Sequence, residues 1–156
     1  MTNTYPVYTG GCMCGTVRYE ISGLAVSVSY CHCSSCRRHT GAPVVAMAVF
    51  KPEQVRFTGG ERNIYNSSPG VHRAFCGACG TSLTWEGIGG DLGPIIDIHI
   101  STLDDPDQLI PELHFHHGER IKWFDSYDSL PRFRGWAEGN EPYRHSPVDQ
   151  PFGREQ

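Results

Sequence analysis

The residues best suited to chemistry in this sequence are its seven cysteines, which fall into three tight groups. Buried structural thiols would be expected singly on scattered apolar faces, so the clustering does not favour that interpretation. Disulfides are also disfavoured, because the count is odd and the first residues do not resemble a secretory signal peptide. Metal binding by thiolates explains the grouping best. The groups are Cys12 and Cys14, then Cys31, Cys33 and Cys36, and then Cys76 and Cys79.

The spacing within these groups predicts one closed metal site. Cys76 and Cys79, followed by Gly80, are typical of a knuckle in which a tight hairpin turn brings two sulfurs to one ion. Tetrahedral zinc then needs two more ligands. Cys12 and Cys14 supply them if they lie at the entrance of a strand, where residues i and i+2 point the same way.

Cys31, Cys33 and Cys36 remain for a second ion. Three thiolates leave the fourth position of a tetrahedral ion open to water or to a substrate sulfur, as in catalytic zinc sites. His32 is an alternative fourth ligand that would close this site, although a residue between two ligands usually points away from the metal. Zinc is favoured over an iron–sulfur cluster because the spacing does not match the ferredoxin patterns. We therefore predict two zinc ions per chain, one structural and one catalytic.

The elements that must position these groups are predicted to be short strands, since eighteen glycines and eleven prolines favour turns over long helices. Apolar and alternating runs predict strands over 15–21, 25–30, 44–50, 55–58, 63–65 and 95–100, a hairpin over 74–86, and strands or extended connections over 112–117 and 122–124. Residues 34–40 are predicted to form a turn or one helical turn, and 102–106 the start of another.

The sequence thus predicts a single all-β domain with little helix over residues 9–136. Residues 1–8 are expected to be a leader, and residues 137–156 a polar tail that is draped over the surface or disordered. The formal net charge is −4 at pH 7 and forms no basic stripe, so no nucleic-acid partner is predicted. No apolar run approaches the roughly 18 residues of a membrane span, so no membrane insertion is predicted, and a cytoplasmic location follows as the default.

Five segments, taken in order, carry a family resemblance. They are GGCMCGTVRYEISG, YCHCSSCRRHTGAP, FCGACGTSL, STLDDPDQLIPELH and KWFDSYDSLPRF. These segments resemble the glutathione-dependent formaldehyde-activating enzyme family, whose domain also occurs in centromere protein V. The order C-x-C, C-H-C-x-x-C and F-C-x-x-C-G makes the match specific, and the match spans about residues 9 to 136.

The resemblance implies a β-tent fold of small antiparallel sheets around two zinc sites. It implies a structural zinc at Cys12, Cys14, Cys76 and Cys79, and a catalytic zinc at Cys31, Cys33 and Cys36, in agreement with the spacing. It also implies a small-molecule thiol partner such as glutathione and a carbon–sulfur lyase activity. In that reaction glutathione adds to formaldehyde to give S-hydroxymethylglutathione. The alternatives are a non-catalytic, zinc-stabilised binding module on the same fold, or a redox or metal-sensing centre.

Three basic residues, Arg37, Arg38 and His39, follow the second cysteine group and are possible contacts for the thiol substrate, or else they balance the thiolate charge. Asp97 and His99 are expected to share one solvated strand face, with a proton-relay pair as the alternative.

A further group of imidazoles, His114, His116 and His117, resembles a metal cluster. It falls in what the family resemblance makes an ordinary sheet segment, so no third metal site is predicted.

Overall fold

The computed structural model describes residues 5–143, and the strands in that range form two sheets. The strands are β1 (Val7–Gly11), β2 (Arg18–Ser22), β3 (Ser27–Cys31), β4 (Val45–Phe50), β5 (Val55–Gly59), β6 (Arg62–Ser68), β7 (Val71–Cys76), β8 (Ser82–Ile88), β9 (Pro94–His99) and β10 (Leu113–Phe115). The described range also contains one α-helix, α1 (Ser34–Thr40), together with short 3-10 turns. The predicted all-β fold with little helix is therefore confirmed.

The smaller sheet is antiparallel in the order β1-β2-β5, and the larger sheet has seven strands in the order β10-β3-β4-β9-β8-β7-β6. Neighbours in the larger sheet run antiparallel except β10 and β3, which are parallel. In this one pair the larger sheet departs from the expected antiparallel arrangement. A parallel pair needs a long crossover connection, and here the whole chain between β3 and β10 provides it.

The main core joins residues of both sheets. Tyr19 and Ile21 of β2, and Phe50 and Ile98 of the larger sheet, are each at most 1% exposed and belong to one apolar cluster. Full burial of a large apolar side chain stabilises the fold by roughly 1.5–3 kcal/mol. Because side chains alternate between the two faces of a strand, one face of each sheet packs in this core.

The opposite face of the larger sheet is buried as well. It carries Asp97 and His99 of β9, which are 3% and 4% exposed. On the same face, Cys36 of α1 packs against Val45 and Met47 of β4. The expectation that Asp97 and His99 lie on a solvated strand face is therefore wrong. The alternating sequence pattern of β9 correctly places Asp97 and His99 on one face. It does not indicate that other elements bury this face.

Most of the local predictions are confirmed. The helical turn at 34–40 is α1, and the hairpin at 74–86 is formed by β7 and β8. The strand at 63–65 is the longer β6, at the edge of its sheet. The segment 112–117 contributes only the three-residue β10, and 122–124 is a turn. None of the helices in the described range is long and apolar enough to cross a membrane.

The ends of the domain differ in detail from the prediction. β1 begins at Val7 and pairs with β2, so ordered structure starts inside the segment expected to be a leader. At the other end, residues 137–143 form no helix or strand. Residues 1–4 and 144–156, and with them most of the predicted tail, lie outside the described residues.

Candidate functional site

Four of the cysteines converge beside the turn of the β7–β8 hairpin. The sulfur atoms of Cys12, Cys14, Cys76 and Cys79 all lie within 4.8 Å of one another. The distance from Cys12 to Cys14 is 3.5 Å, and that from Cys14 to Cys76 is 3.8 Å. A disulfide needs about 2.05 Å, whereas tetrahedral zinc with Zn–S bonds of about 2.3 Å places its sulfurs about 3.8 Å apart. The four-sulfur group therefore fits a closed zinc site.

Two tight turns present these four thiols. Gly80 has a φ of 77°, a left-handed conformation that favours glycine, and its N–H donates to the Cys76 carbonyl at 2.8 Å. This is the turn that the C-x-x-C-G spacing predicted. Cys12 and Cys14 lie in the turn between β1 and β2, where the Gly15 N–H donates to the Cys12 carbonyl at 3.0 Å. The strand geometry expected for this pair is therefore wrong, although both sulfurs reach the group.

Hydrogen-bond donors around the four-sulfur group favour ionised thiols. The Val17 N–H donates to Cys12 Sγ at 3.2 Å. The hydroxyl of Thr81 lies 3.1 Å from Cys79 Sγ, and hydrogen bonds from Thr81 lower the pKa of Cys79 to about 5. A thiol must lose its proton to bind a metal, so these donors reduce the free-energy cost of forming the site.

The second cysteine group lies where β3 meets α1. Cys31 ends β3, Cys33 is the N-cap residue of α1, and Cys36 lies inside the helix. The Cys36 N–H donates to Cys33 Sγ at 3.3 Å, so one sulfur of the group also caps the helix. The three sulfurs lie within 4.8 Å of one another, and Cys31 and Cys36 are buried while Cys33 is half-buried. The predicted grouping of the cysteines is thus the grouping in space.

The electrostatics of this three-sulfur group favour a bound cation. Hydrogen bonds from Cys31 and Cys36 lower the pKa of Cys33 to about 2, while the hydrogen bond with Cys33 raises the pKa of Cys31. Without a metal the group therefore holds one shared thiolate, because neighbouring negative charges repel. A divalent ion would let all three thiols ionise. Nη1 of Arg73, 3.5 Å from Cys36 Sγ, adds one fixed positive charge.

The neighbours of these cysteines in sequence mostly face elsewhere. Nε2 of His32 lies 2.8 Å from Nδ1 of His114, so His32 does not close the three-sulfur group. Arg37 donates from Nε to the His32 carbonyl at 3.1 Å and from Nη2 to the Glu119 carbonyl at 3.3 Å. Arg38 is exposed, and neither arginine lines the cavity beside the three sulfurs. The hydrogen bonds of Arg37 favour a structural role, and contact of either arginine with a thiol substrate is a matter for mutation.

A cavity of about 260 Å³ opens beside the three sulfurs. Arg73, Trp85 and Asp97 also line it, and they stand in one row because Trp85 pairs with both of the others across β7, β8 and β9. Spacing along the sequence gives no hint that Arg73 and Trp85 belong to the site. Only the register between the strands, which is set by tertiary packing, brings them together.

Asp97 is a buried carboxyl group in the wall of this cavity. Burial raises its pKa to about 7, although the charge of Arg73 acts in the opposite direction. Its Oδ1 has no hydrogen-bond partner among the described residues. Arg73 is itself buried and donates from Nε to Ser67 Oγ at 3.0 Å. A carboxyl group that titrates near neutral pH, in a cavity with three thiols, is suited to proton transfer.

His99 does not form the alternative proton-relay pair with Asp97. Its Nδ1 lies 3.1 Å from Ser82 Oγ, which in turn lies 2.8 Å from Nδ1 of His39. Burial lowers the pKa of His99 to about 4. His39 and His99 line a different cavity of about 480 Å³, which Cys79 of the four-sulfur group also borders. The structure therefore separates His39 from the three-sulfur cavity.

This geometry defines an all-β protein with two cysteine-rich centres of metal-binding type, one closed and one facing a cavity. Residues 7–119 match the model of a family described as glutathione-dependent formaldehyde-activating enzyme, and the chain belongs to that family. The resemblance drawn from the sequence is confirmed.

Two of the proteins that are similar to this chain illustrate the match. An uncharacterized lyase of Schizosaccharomyces pombe is 31% identical over 80 residues, which cover 50% of this chain and 56% of that protein. The chain thus matches little more than half the length of this curated relative. A Rhodobacter sphaeroides protein of known crystal structure is 23% identical with a TM-score of 0.49, and the match covers 64% of this chain and 93% of that one.

Proposed function

We propose that this protein forms or cleaves the adduct of a small-molecule thiol, such as glutathione, with a small aldehyde, and is thus a carbon–sulfur lyase-type enzyme. The observation that carries the proposal is a cavity lined both by three convergent thiols and by a buried carboxyl group with a pKa near neutrality. Membership of the family and the lyase name of the yeast relative support it.

Two zinc ions are part of the proposal. The four-sulfur group would hold a structural ion. Cys31, Cys33 and Cys36 would hold a catalytic one, which when bound lowers the pKa of a thiol at its open position. The fit rests on sulfurs that converge within 4.8 Å and on neighbouring donors that favour thiolates. A location in the cytoplasm is part of the same proposal, since free thiols persist in reducing compartments.

The chemical step is redox-neutral and needs one proton carrier. A carbon–sulfur bond forms between the thiol and the carbonyl carbon, the carbon–oxygen double bond becomes single, and the thiol proton ends on the oxygen. Asp97 takes the proton from the thiol and returns it to the oxygen, because its pKa of about 7 lets it hold either state at working pH. Cleavage of the adduct is the same sequence in reverse.

The space next to the three-sulfur cavity could hold an adduct larger than that of glutathione with formaldehyde. A second cavity of about 620 Å³ shares Trp85 and Trp136 with the wall of the three-sulfur cavity. Its lining is mainly apolar and includes Val49, Ile95 and Phe115. An apolar substituent of the aldehyde or of the thiol would occupy this space, since such pockets bind through apolar burial.

The alternative, a zinc-stabilised binding module without catalysis, needs only the four-sulfur group. It gives no reason to bury Asp97 and Arg73 beside three more cysteines, where both incur a desolvation cost. Residues kept in costly environments inside a cavity are typical of active sites. This arrangement favours the enzyme over the module.

The proposal is tested with cobalt placed in the three-sulfur site of the full chain. Glutathione should increase the sulfur-to-cobalt charge-transfer absorption, whereas oxidised glutathione, which has no free thiol, should not. Exchange NMR should then show faster interconversion of glutathione, formaldehyde and their adduct than in buffer. Asp97→Asn should keep the spectral change and lose the acceleration. A cobalt spectrum that does not respond to thiols would support the binding module instead.

A further inference from the structure

A second cluster of ligand-type side chains lies behind the three-sulfur group. His32, His114 and His117 are 1%, 1% and 0% exposed. Each offers a nitrogen atom, and these atoms lie within 4.8 Å of one another. The cluster differs from the one that adjacency in sequence suggested. His116 has a φ of 51° and turns its ring onto Trp136, at 4.7 Å between ring centroids, so it lies outside.

The nitrogens of this cluster are arranged as inner and outer atoms. Nε2 of His32 and Nδ1 of His114 face each other at 2.8 Å. The ring of His117 packs edge-on against that of His32, with centroids 4.8 Å apart. Nε2 of His117 lies 4.0 Å from Oδ1 of Asp125. Three imidazoles thus approach a common centre, and the carboxylate of Asp125 lies beside His117.

The outer nitrogens of His114 and His117 are held by hydrogen bonds. Nε2 of His114 lies 3.1 Å from a carboxylate oxygen of Asp128, and Nδ1 of His117 is bonded to the hydroxyl of Tyr143. Asp128 is in turn fixed by Arg132, at 3.1 Å. A metal-binding histidine almost always donates its second ring N–H to such a partner, which fixes the tautomer and points the free lone pair at the ion.

We infer that His32 Nε2, His114 Nδ1 and His117 Nε2 form a third metal site for a divalent ion of the zinc class. Imidazole nitrogen suits zinc and its neighbours in the transition series. Zn–N bonds of about 2.0–2.1 Å place tetrahedral nitrogens about 3.3 Å apart, so the His32–His114 pair opens by roughly half an ångström on binding.

Binding replaces a shared proton with the ion. In the metal-free chain one of the two facing nitrogens carries the proton of the His32–His114 hydrogen bond. When the ion binds, that proton moves to Nδ1 of His32, a buried atom that has no hydrogen-bond partner within residues 5–143. The ion would tie β10 and the following turn to the β3–α1 junction. It would thereby fix the junction that Cys31 and Cys33 flank.

The full chain loaded with cadmium tests the inference, because cadmium NMR separates sulfur-rich sites from nitrogen- and oxygen-ligated ones. The wild type should bind three ions and give two sulfur-type resonances and one nitrogen-type resonance. His117→Gln should lose only the nitrogen-type resonance. The control is His72→Gln, which replaces an exposed histidine of β7 and should keep all three resonances. Asp128→Asn should lower the affinity of the third site by about 10–100-fold.

A folded wild type that binds only two ions and gives no nitrogen-type resonance would overturn the inference. If His117→Gln does not fold, nitrogen NMR of the wild type labelled in its histidine side chains decides. Added zinc should end the proton sharing between His32 and His114, and ring signals unchanged by excess zinc would refute the site. The two sulfur-type resonances report separately on the sites of the proposed function, which stands or falls independently.

Discussion

Replacing Asp97 with Asn should make the fold more stable at alkaline pH while it removes activity. Burial raises the pKa of Asp97 from its usual 3.8 to about 7. The folded protein therefore keeps a proton that the unfolded chain has already lost at neutral pH. Holding a carboxyl group in this state opposes folding, and an amide of the same shape, which does not titrate, avoids the cost.

The magnitude follows from the two pKa values. Each pKa unit corresponds to about 1.36 kcal/mol, so the rise from 3.8 to about 7 costs roughly 4 kcal/mol once the pH exceeds the folded value. Below the unfolded value both states are protonated and the cost vanishes. The stability of the wild type relative to Asp97→Asn should thus fall as pH rises from 4 to 7 and then level off.

Urea unfolding of both proteins, followed by circular dichroism from pH 4 to 9 at fixed free zinc, measures this difference. The pH dependence of metal binding is common to the two proteins and largely cancels. Asp104→Asn is the matched control of opposite sign, because hydrogen bonds from Arg18 and Thr9 lower the pKa of Asp104 to about 2. Its replacement should cost a little stability above pH 4, since the pair is exposed to solvent. If the difference in unfolding free energy between Asp97→Asn and the wild type does not grow with pH, the pKa of Asp97 is not raised by folding. The reasoning above would then be refuted.

Two further pairs of substitutions test the division of the cysteines and the role of the arginines. Cys79→Ser should prevent folding, because a structural zinc contributes about 10–16 kcal/mol, as much as a domain's whole stability of about 5–15 kcal/mol. Cys36→Ser should fold with one ion fewer. Metal analysis and circular dichroism measure the ion content and the folding of both cysteine variants. If both variants unfold to the same extent, the division into a structural and a catalytic site is wrong. Arg37→Ala should lower the free energy of unfolding by about 1–3 kcal/mol, because it removes hydrogen bonds from a charged group to two carbonyls, and it should leave glutathione affinity unchanged. The exposed Arg38→Ala is the control, and a weaker glutathione complex in either variant would instead place that arginine at the substrate.

The grouping of the cysteines was predictable because most ligands of each group are neighbours in sequence. C-x-x-C-G leaves the chain few ways to turn, and Gly80 adopts the left-handed φ that the motif needs. The pairing of Cys12 and Cys14 with the knuckle followed from ligand number alone, although the local geometry is a turn and not a strand. The number and type of metal ligands thus predicted the cysteine groups more reliably than residue propensities predicted the local backbone structure.

The burial of Asp97 and His99 was not predictable from alternation. A period of two separates the faces of a strand but does not say what lies over each face. Here the second face is covered by α1 and by the segment that follows β10, which brings His116, Glu119 and Trp136 to the cavity wall. The residues of β9 do not indicate that either element lies over this face. The row formed by Arg73, Trp85 and Asp97 depends on the registers of two strand pairs, which the sequence does not give either.

The parallel pairing of β10 with β3 explains why two centres lie back to back. It sets Phe115 opposite Cys31 and His114 opposite Tyr30, and the ring of His114 stacks on that of Tyr30 at 5.1 Å between centroids. The chain leaving β3 then turns Cys31 toward α1 and His32 toward β10. Adjacent residues at this one sheet edge therefore belong to the three-sulfur group and to the histidine cluster, so an ion in the cluster would stabilise the edge that presents the three thiols.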